Sequence, residues 1–230
     1  MNAPGGAPLE LRALISERMA PVKALPRPWR RALPFAPVGL ALLFVVPRPL
    51  GMREDAAALG AGLLWAPTLL ELVFGLVVIG AALRESIPGR SLTWPALVVG
   101  LASWCALAGG TTALCWQASH VTVPARNAFF FWRICFGTPT LVGIPLVLLA
   151  WLLATRALPV RPVLTGALCG SGAGFIVDSA WRLTCEASQP SHVVAAHFAA
   201  VVALALLGAL LGRLRVTAES RRFAALRPSH

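Results

Sequence analysis

From Val163 to Trp181 the chain reads VLTGALCGSGAGFIVDSAW, an apolar run in which small residues recur at a fixed interval. Gly166, Gly170 and Gly174 lie four residues apart, so on a helix they form one smooth stripe that a second helix can approach closely. The run has about the 20 residues that a helix needs to cross the hydrocarbon layer of a bilayer. It therefore predicts a membrane-spanning helix that packs tightly against a neighbour.

Five other stretches are also long and apolar enough to cross a bilayer. In chain order, the six windows are Leu33–Leu50, Gly60–Leu83, Leu92–Trp116, Ile134–Thr155, Val163–Trp181 and Val193–Gly212. Pro47 and Arg48 shorten the first window, and Gly208 and Gly212 repeat the four-residue spacing in the last. The sequence predicts an all-α integral membrane protein, a bundle of six transmembrane helices.

The composition agrees with a membrane protein. Of the 230 residues, 57% are hydrophobic and only 13% are charged, whereas charged residues make up about a quarter of an ordinary soluble domain. The formal net charge of +11 raises the question of nucleic-acid binding. The basic residues, however, lie in short segments beside the apolar windows. We therefore expect them to face anionic lipid, with the bilayer as partner and no direct contact with nucleic acid.

Basic residues also predict the orientation of the bundle. Fifteen of them lie on the side that holds both chain ends, and five lie on the other side. Because loops rich in Lys and Arg stay inside, both termini are predicted to be cytoplasmic, in a multi-pass protein of the bacterial inner membrane. Three regions follow: a cytoplasmic N-terminal tail (1–31), a six-helix transmembrane domain (32–212) and a basic cytoplasmic tail (213–230).

The N-terminal tail contains a short amphipathic pattern. Leu11, Leu14, Ile15 and Met19 fall on one face of a possible helix. About three turns of helix are marginal alone in water. Such a segment either lies on the membrane surface or becomes ordered in the groove of a partner protein, and the pattern is compatible with both.

Glu71 is the ionisable residue in the middle of the second window, where a charge is costly and indicates a function. It would serve a proton or ion path, or stay protonated and bind a neighbouring helix. The first possibility makes a small membrane transporter or channel the alternative function. The chain has no Gly-x-Ser-x-Gly, phosphate loop or paired metal-ligand motif, so we expect no catalytic residue, no enzyme and no cofactor.

Thiols and imidazoles gather at the outer boundary of the predicted bundle. Cys105 and Cys169 lie within helices and are expected to act as small apolar residues. The other cysteines and most histidines fall on the outer side: Cys115, Cys135, Cys185, His120, His192 and His197. Together they could form a soft metal site. They show no compact ligand spacing, so whether a metal binds there stays open.

Several of these features together resemble the NrsF family, membrane-bound anti-sigma factors that inhibit extracytoplasmic-function sigma factors. The resemblance begins with Leu14-Ile15, Pro21-Val22, Pro28 and Arg31 before the first window. It is strongest in the later part of the chain, at Thr165-Gly166-Ala167-Leu168-Cys169-Gly170, Cys185, Pro190 and Leu207-Gly208-Ala209-Leu210-Leu211-Gly212. The six-helix layout with both tails inside is also similar.

The resemblance implies that the N-terminal tail holds an extracytoplasmic-function sigma factor at the membrane and releases it on an envelope stress signal. It also implies that Cys135 and Cys185 take part in sensing. Asp178, His192 and His197 depart from the family pattern, so the signal stays open between redox, metal and light. A light-responsive membrane anti-sigma factor that controls carotenoid genes has similar size and topology.

Overall fold

The computed structural model describes residues 13, 17, 25–122 and 124–225, and over these the chain is helical with short connections. The side chains of residues 125 and 222–225 are outside this description. The predicted stripe of Leu11, Leu14, Ile15 and Met19 also lies outside the described residues.

In the part of the chain that the structure describes, six helices are long and apolar enough to cross a membrane. They are α1 (Pro28–Leu50), α2 (Ala56–Glu85), α3 (Trp94–Ser119), α4 (Ala128–Thr155), α5 (Pro162–Trp181) and α6 (Pro190–Arg221). The predicted all-α, six-helix membrane fold is therefore confirmed, although α1 begins at Pro28, five residues before the predicted first window, and runs through Pro47 and Arg48 to Leu50. The helix of α6 continues to Ala225, beyond the predicted end of the last window at Gly212.

An even number of crossings returns the chain to the side on which it began, so the bundle has two distinct ends. We call the end formed by residues 51–55, 120–122, 124–127 and 182–189 the thiol end. The opposite end, formed by residues 86–93 and 156–161 together with the start of α1 and the end of α6, is the tail end. At the tail end, Glu85 accepts hydrogen bonds from Arg161 Nε at 2.6 Å and from Leu92 N at 2.5 Å, which fixes the two short connections to each other.

The glycine stripe of α5 packs directly on α6. A Cβ atom added to Gly166 would overlap the carbonyl oxygen of Gly208, and one added to Gly170 would overlap that of Leu204. A Cβ atom on Gly174 would come within 3.0 Å of Val201 Cα. The helix packing predicted from the four-residue spacing is confirmed, because at these positions only glycine lets the two backbones meet.

The opposite side of α5 uses glycine against α2. A Cβ atom on Gly172 would lie 2.8 Å from Ile79 Cγ1, and one on Gly75 of α2 would lie 2.9 Å from the Gly172 carbonyl oxygen. α5 also contacts α1 and α4, so it forms the centre of the bundle. In contrast, α3 lies at the periphery, where Trp104 stacks on Phe198 with ring centroids 4.7 Å apart.

Candidate functional site

Four buried side chains converge at the thiol end: Cys135, Cys185, His192 and His197. Each offers one ligand atom, and these four atoms all lie within 4.8 Å of one another. Cys135 and His197, the first and last of the four in sequence, are 62 positions apart. The four residues come from three elements: the second turn of α4, the connection after α5, and the start of α6. The fold therefore assembles a compact Cys2His2 cluster that no local sequence motif encodes.

The start of α6 explains how two histidines five residues apart share the cluster. Residues five apart in an α-helix point about 140° away from each other. Here the segment Val193–Phe198 is a π-helix, whose i→i+5 pattern stacks such residues one turn above the other. The rings of His192 and His197 consequently lie with centroids 5.6 Å apart. Trp132 Nε1 of α4 donates a hydrogen bond to the Ala195 carbonyl oxygen at 2.7 Å, which ties the π-helix to α4.

The two thiols of the cluster are in direct contact. Cys135 Sγ and Cys185 Sγ are 3.6 Å apart, and Cys185 Sγ is 3.5 Å from His192 Nε2. All five cysteines of the chain are free. The hydrogen bond with Cys135, followed by burial, raises the pKa of the Cys185 thiol above its ordinary value. Without a further ligand, Cys185 is therefore a protonated thiol at neutral pH.

His197 is held by a carboxylate from α5. Its Nδ1 lies 2.7 Å from Asp178 Oδ1, and both side chains are about 5% exposed. Its Nε2 is buried and has no hydrogen-bond partner among the described residues. Because Asp178 engages Nδ1, the ring is fixed with Nε2 free to accept a ligand. A histidine oriented in this way by a carboxylate is the usual arrangement of a metal-binding imidazole.

Further buried polar side chains extend from Asp178 towards the middle of the bundle. The Asp178 and Glu71 carboxyls lie against each other, and Arg182 Nε is 3.6 Å from Glu71 Oε2. Arg182 Nη2 also donates to Thr111 Oγ1 of α3 at 3.2 Å. Glu71, the predicted intramembrane acid, is buried within α2, and its basic partner is Arg182 at the end of α5, which was not predicted. The missing partner could not be recognised because Arg182 is 111 residues away in sequence.

Arg53 organises the loop that carries Cys185. Its guanidinium binds Asp55 in a bidentate fashion, with Nε at 2.5 Å from Oδ1 and Nη2 at 2.8 Å from Oδ2. Nη2 also donates to the Glu186 carbonyl oxygen at 3.0 Å and to Ser188 Oγ at 2.8 Å. The backbone N–H of Arg53 donates to the Leu183 carbonyl oxygen at 2.9 Å. These bonds hold residues 183–188 against the α1–α2 connection.

Asp55 connects the hydrogen-bond network of Arg53 to α3. Ser119 Oγ at the end of α3 donates a hydrogen bond to Asp55 Oδ2. Burial raises the pKa of Asp55, but the hydrogen bonds from Arg53 and Ser119 outweigh it, so the pKa lies below its ordinary value. Asp55 is therefore ionised at neutral pH, and it links three connections of the thiol end.

The structure sorts the predicted site residues into groups. It brings Cys135, Cys185, His192 and His197 together and leaves Cys115 and His120 outside this cluster of the described residues. Cys115 is nevertheless close, because it lines the same small recess as Cys185 and His197. The positioning residues Arg53, Asp55 and Arg182 were not predicted. In the sequence, Arg53 and Arg182 contribute only to the count of basic residues that predicts the topology, and Asp55 has no signal of its own.

Fold and site together define a class: a multi-pass α-helical membrane protein with a thiol-containing polar site at one end of its bundle. A model of the NrsF family, described as negative regulator of sigma F, matches residues 15–216, which is most of the chain. The chain therefore belongs to the NrsF family of negative regulators of a sigma factor. The family identified from the sequence is confirmed, and its name implies a sigma factor as partner.

Searches of curated proteins and of solved structures found no match to the chain.

Proposed function

We propose that this protein is an inner-membrane anti-sigma factor that holds an extracytoplasmic-function sigma factor at the cytoplasmic surface and releases it on an envelope stress signal. The observation that carries the proposal is the family match, which begins at residue 15 inside the amphipathic tail and continues through all six helices. The fifteen-to-five distribution of basic residues supports a cytoplasmic location for the tail end. The thiol end then faces the periplasm, where disulfide chemistry is possible.

The N-terminal tail is the proposed sigma-binding element, through Leu11, Leu14, Ile15 and Met19. A stripe of apolar residues at helical spacing suits a hydrophobic groove on a partner. Eight residues separate Met19 from the start of α1, so a shift of that helix would be transmitted to the binding element through a short link.

Cys135 and Cys185 are the proposed sensing thiols. Their 3.6 Å separation supports a shared link, either a disulfide formed with a two-electron oxidant or a common ligand. One disulfide stabilises a state by about 2–4 kcal/mol. Moving a two-state equilibrium from 1:99 to 99:1 takes about 5.5 kcal/mol. The proposed switch therefore requires a resting equilibrium that is already close to balance.

α4 provides a physical connection between the sensing thiols and the tail. Its second turn carries Cys135, and near its other end the Leu153 carbonyl oxygen accepts a hydrogen bond from Arg31 Nη2 of α1. Arg31 lies at the boundary of the predicted tail. Displacement of α4 by an event at Cys135 would thus act on the first helix after the sigma-binding segment.

The test uses a transcriptional reporter that depends on the sigma factor. Changing Leu14→Asp together with Ile15→Asp places charge in an apolar interface, which is costly without a partner. We expect the reporter to be on without any stimulus. Leu25→Asp, at an exposed position nearer the membrane, is the matched control and should leave repression intact. Persistent repression by a double variant that accumulates normally in the membrane would exclude the tail as the binding element.

The same reporter tests the thiols under a thiol oxidant or a cadmium salt. Cys135→Ser, Cys185→Ser and the double variant should respond alike, because loss of either partner removes the shared link. Cys105→Ser, on the exposed side of α3, should behave as the wild type. Additive effects of the two single changes would contradict a paired switch while leaving the anti-sigma function in place.

A further inference from the structure

We propose that Cys135, Cys185, His192 and His197 form a tetrahedral binding site for one thiophilic divalent cation of the Zn²⁺ class, with Asp178 as the positioning residue for His197. Binding itself follows from the cluster alone. Its role as the signal input rests on the proposed function.

The spacing of the ligand atoms fits a tetrahedron around such an ion. With Zn–S near 2.3 Å and Zn–N near 2.0–2.1 Å, ideal tetrahedral edges are about 3.8 Å for S···S and about 3.5 Å for S···N. The observed Cys135 Sγ···Cys185 Sγ distance is 3.6 Å, and Cys185 Sγ···His192 Nε2 is 3.5 Å. The fourth ligand atom, from His197, lies within 4.8 Å of the other three. A small inward movement of one ring completes the site.

The charge of the cluster selects the kind of ion. All four ligands are buried, so an uncompensated charge there would be costly. A divalent cation displaces one proton from each thiol, the two protons leave to solvent, and the resulting ion with two thiolates and two neutral imidazoles has no net charge. A monovalent cation in the same four ligands would leave one negative charge buried. Thiolate and imidazole together favour Zn²⁺ or Cd²⁺ over Mg²⁺ or Ca²⁺.

The free nitrogen of His197 is the observation that points to a ligand. A buried ring nitrogen with no hydrogen-bond partner among the described residues is uncommon, because its desolvation is uncompensated. Asp178 holds the other nitrogen at 2.7 Å, which sets the tautomer that ligation through Nε2 requires. A cation would be ligated by this Nε2 atom, and the Asp178 carboxylate would increase the basicity of the His197 ring.

Three elements meet at the site, so the cation would link them. Cys135 belongs to α4, the histidines to α6, and Cys185 to the connection that Arg53 holds in place. Through Asp178 the site also reaches α5 and the Glu71–Arg182 pair. Occupancy would therefore fix the relative position of α4 and α6, the helices that contact the site and extend to the tail end.

The test measures cation binding by the full-length protein, purified in detergent micelles and kept reduced. Zn²⁺ bound after desalting is quantified by elemental analysis, and Co²⁺ is used as a spectroscopic probe of tetrahedral thiolate coordination. We expect one equivalent of Zn²⁺ per chain and the intense visible bands of tetrahedral Co²⁺. Cys135→Ser, Cys185→Ser, His192→Gln and His197→Gln should each lose this signal. Asp178→Asn should retain the spectrum but bind about 10–100-fold more weakly.

Control variants separate ligation from folding. Cys105→Ser and His120→Gln, outside the cluster, should bind as the wild type does. His197→Cys replaces one ligand by another and should restore binding that His197→Gln loses, which a purely structural role of His197 would not allow.

Binding by the wild type no stronger than by Cys135→Ser would overturn the site. Undiminished binding by both histidine variants would overturn the four-ligand arrangement in favour of the thiols alone. A bound equivalent of Zn²⁺ without any change of the sigma-dependent reporter would overturn the role of the cation as input. Because repression by the tail is measured without added cation, failure of the anti-sigma function is distinguished from failure of the site.

Discussion

α5 and α3 are both apolar helices of membrane-spanning length, yet they differ sharply in how they are held. In the most apolar stretch of each helix, 72% of the residues of α5 are buried in the protein, against 6% in α3. Hydrophobicity does not account for this difference, because α5 is the least apolar of the six spans. The glycines of α5 account for the difference, because they let α6 and α2 approach the α5 backbone from two sides. Inside a membrane, small residues rather than apolar ones decide which helix becomes the core.

The largest expected effect compares glycines of the two helices. Gly170→Leu in α5 would drive a side chain into the Leu204 carbonyl oxygen, and two packed backbones cannot both move away at low cost. We expect the free energy of unfolding to fall by more than about 3 kcal/mol and little folded protein to accumulate. Gly109→Leu in α3, where an added Cβ atom meets nothing within 4 Å, should change it by less than about 0.5 kcal/mol.

Unfolding of both variants in mixed micelles, followed by circular dichroism, gives the comparison. Similar losses at the two positions would mean that α3 is packed as tightly as α5 and that the contrast between them is wrong.

A second, smaller effect is expected at the polar contact that joins the two helices. Arg182 at the end of α5 pairs with Glu71 and binds Thr111 of α3. Arg182→Gln leaves the buried Glu71 carboxyl without its cation, which should cost about 3 kcal/mol because a buried charge loses its partner. Adding Glu71→Gln should recover much of this loss, since the double variant removes the unpaired charge as well.

Arg126→Gln, at an exposed position of the thiol end, is the matched control and should be close to neutral. A cost of the Arg182→Gln, Glu71→Gln double variant equal to the sum of the two single-variant costs would show that the pair is not coupled. The measurement is the same micellar unfolding, made on each single variant and on the double variant. It is extended to the double variants that combine Thr111→Val with Arg182→Gln or with Glu71→Gln.

The smallest expected effect concerns the attachment of α3 at the thiol end. Ser119→Ala removes the hydrogen bond to Asp55 and should cost about 1 kcal/mol at pH 7. The pKa of Asp55 is lowered in the folded protein, so its stabilisation is complete above the ordinary value of about 3.9 and is lost as the pH falls through the folded value. The cost of Ser119→Ala should therefore shrink towards zero in strong acid.

Ser103→Ala, at an exposed position of the same helix, should have no effect at either pH. A cost of Ser119→Ala that is unchanged in acid would show that the hydrogen bond does not depend on the ionised carboxylate.

The sequence predicted the fold well because its signals are local. Span length, apolar composition and the Gly166–Gly170–Gly174 spacing each act within a single helix, and the structure agrees with all three. Cys135 and Cys185, which the resemblance singled out, lie with their sulfur atoms 3.6 Å apart. The bounds of the last helix were less accurate, because Arg213 and the following residues form helix outside the apolar stretch.

The remaining parts of the site depend on contacts between distant segments. Glu71 shows this best: its acidic character was evident, but the Arg182 partner comes from another helix. The role of Arg53 was equally hidden, because apart from Asp55 its side-chain partners lie 129–135 positions away, and two of them are backbone oxygens, which have no sequence signature. His192 and His197 were noted only as outer histidines. Their five-residue spacing matches no α-helical ligand motif, and only the π-helix makes it productive.

That π-helix allows the histidine pair to tolerate a change of chain length over evolutionary time. A π-helical turn contains one residue more than the α-helical turn it replaces, so a single-codon deletion within 193–196 would return the segment to regular α-helix. The two histidines would then be four residues apart, on one face of that helix, and would still lie together beside the thiols. The glycine contacts between α5 and α6 farther along the helix would be unaffected. A descendant with the shorter segment would thus keep both the ligand cluster and the membrane scaffold.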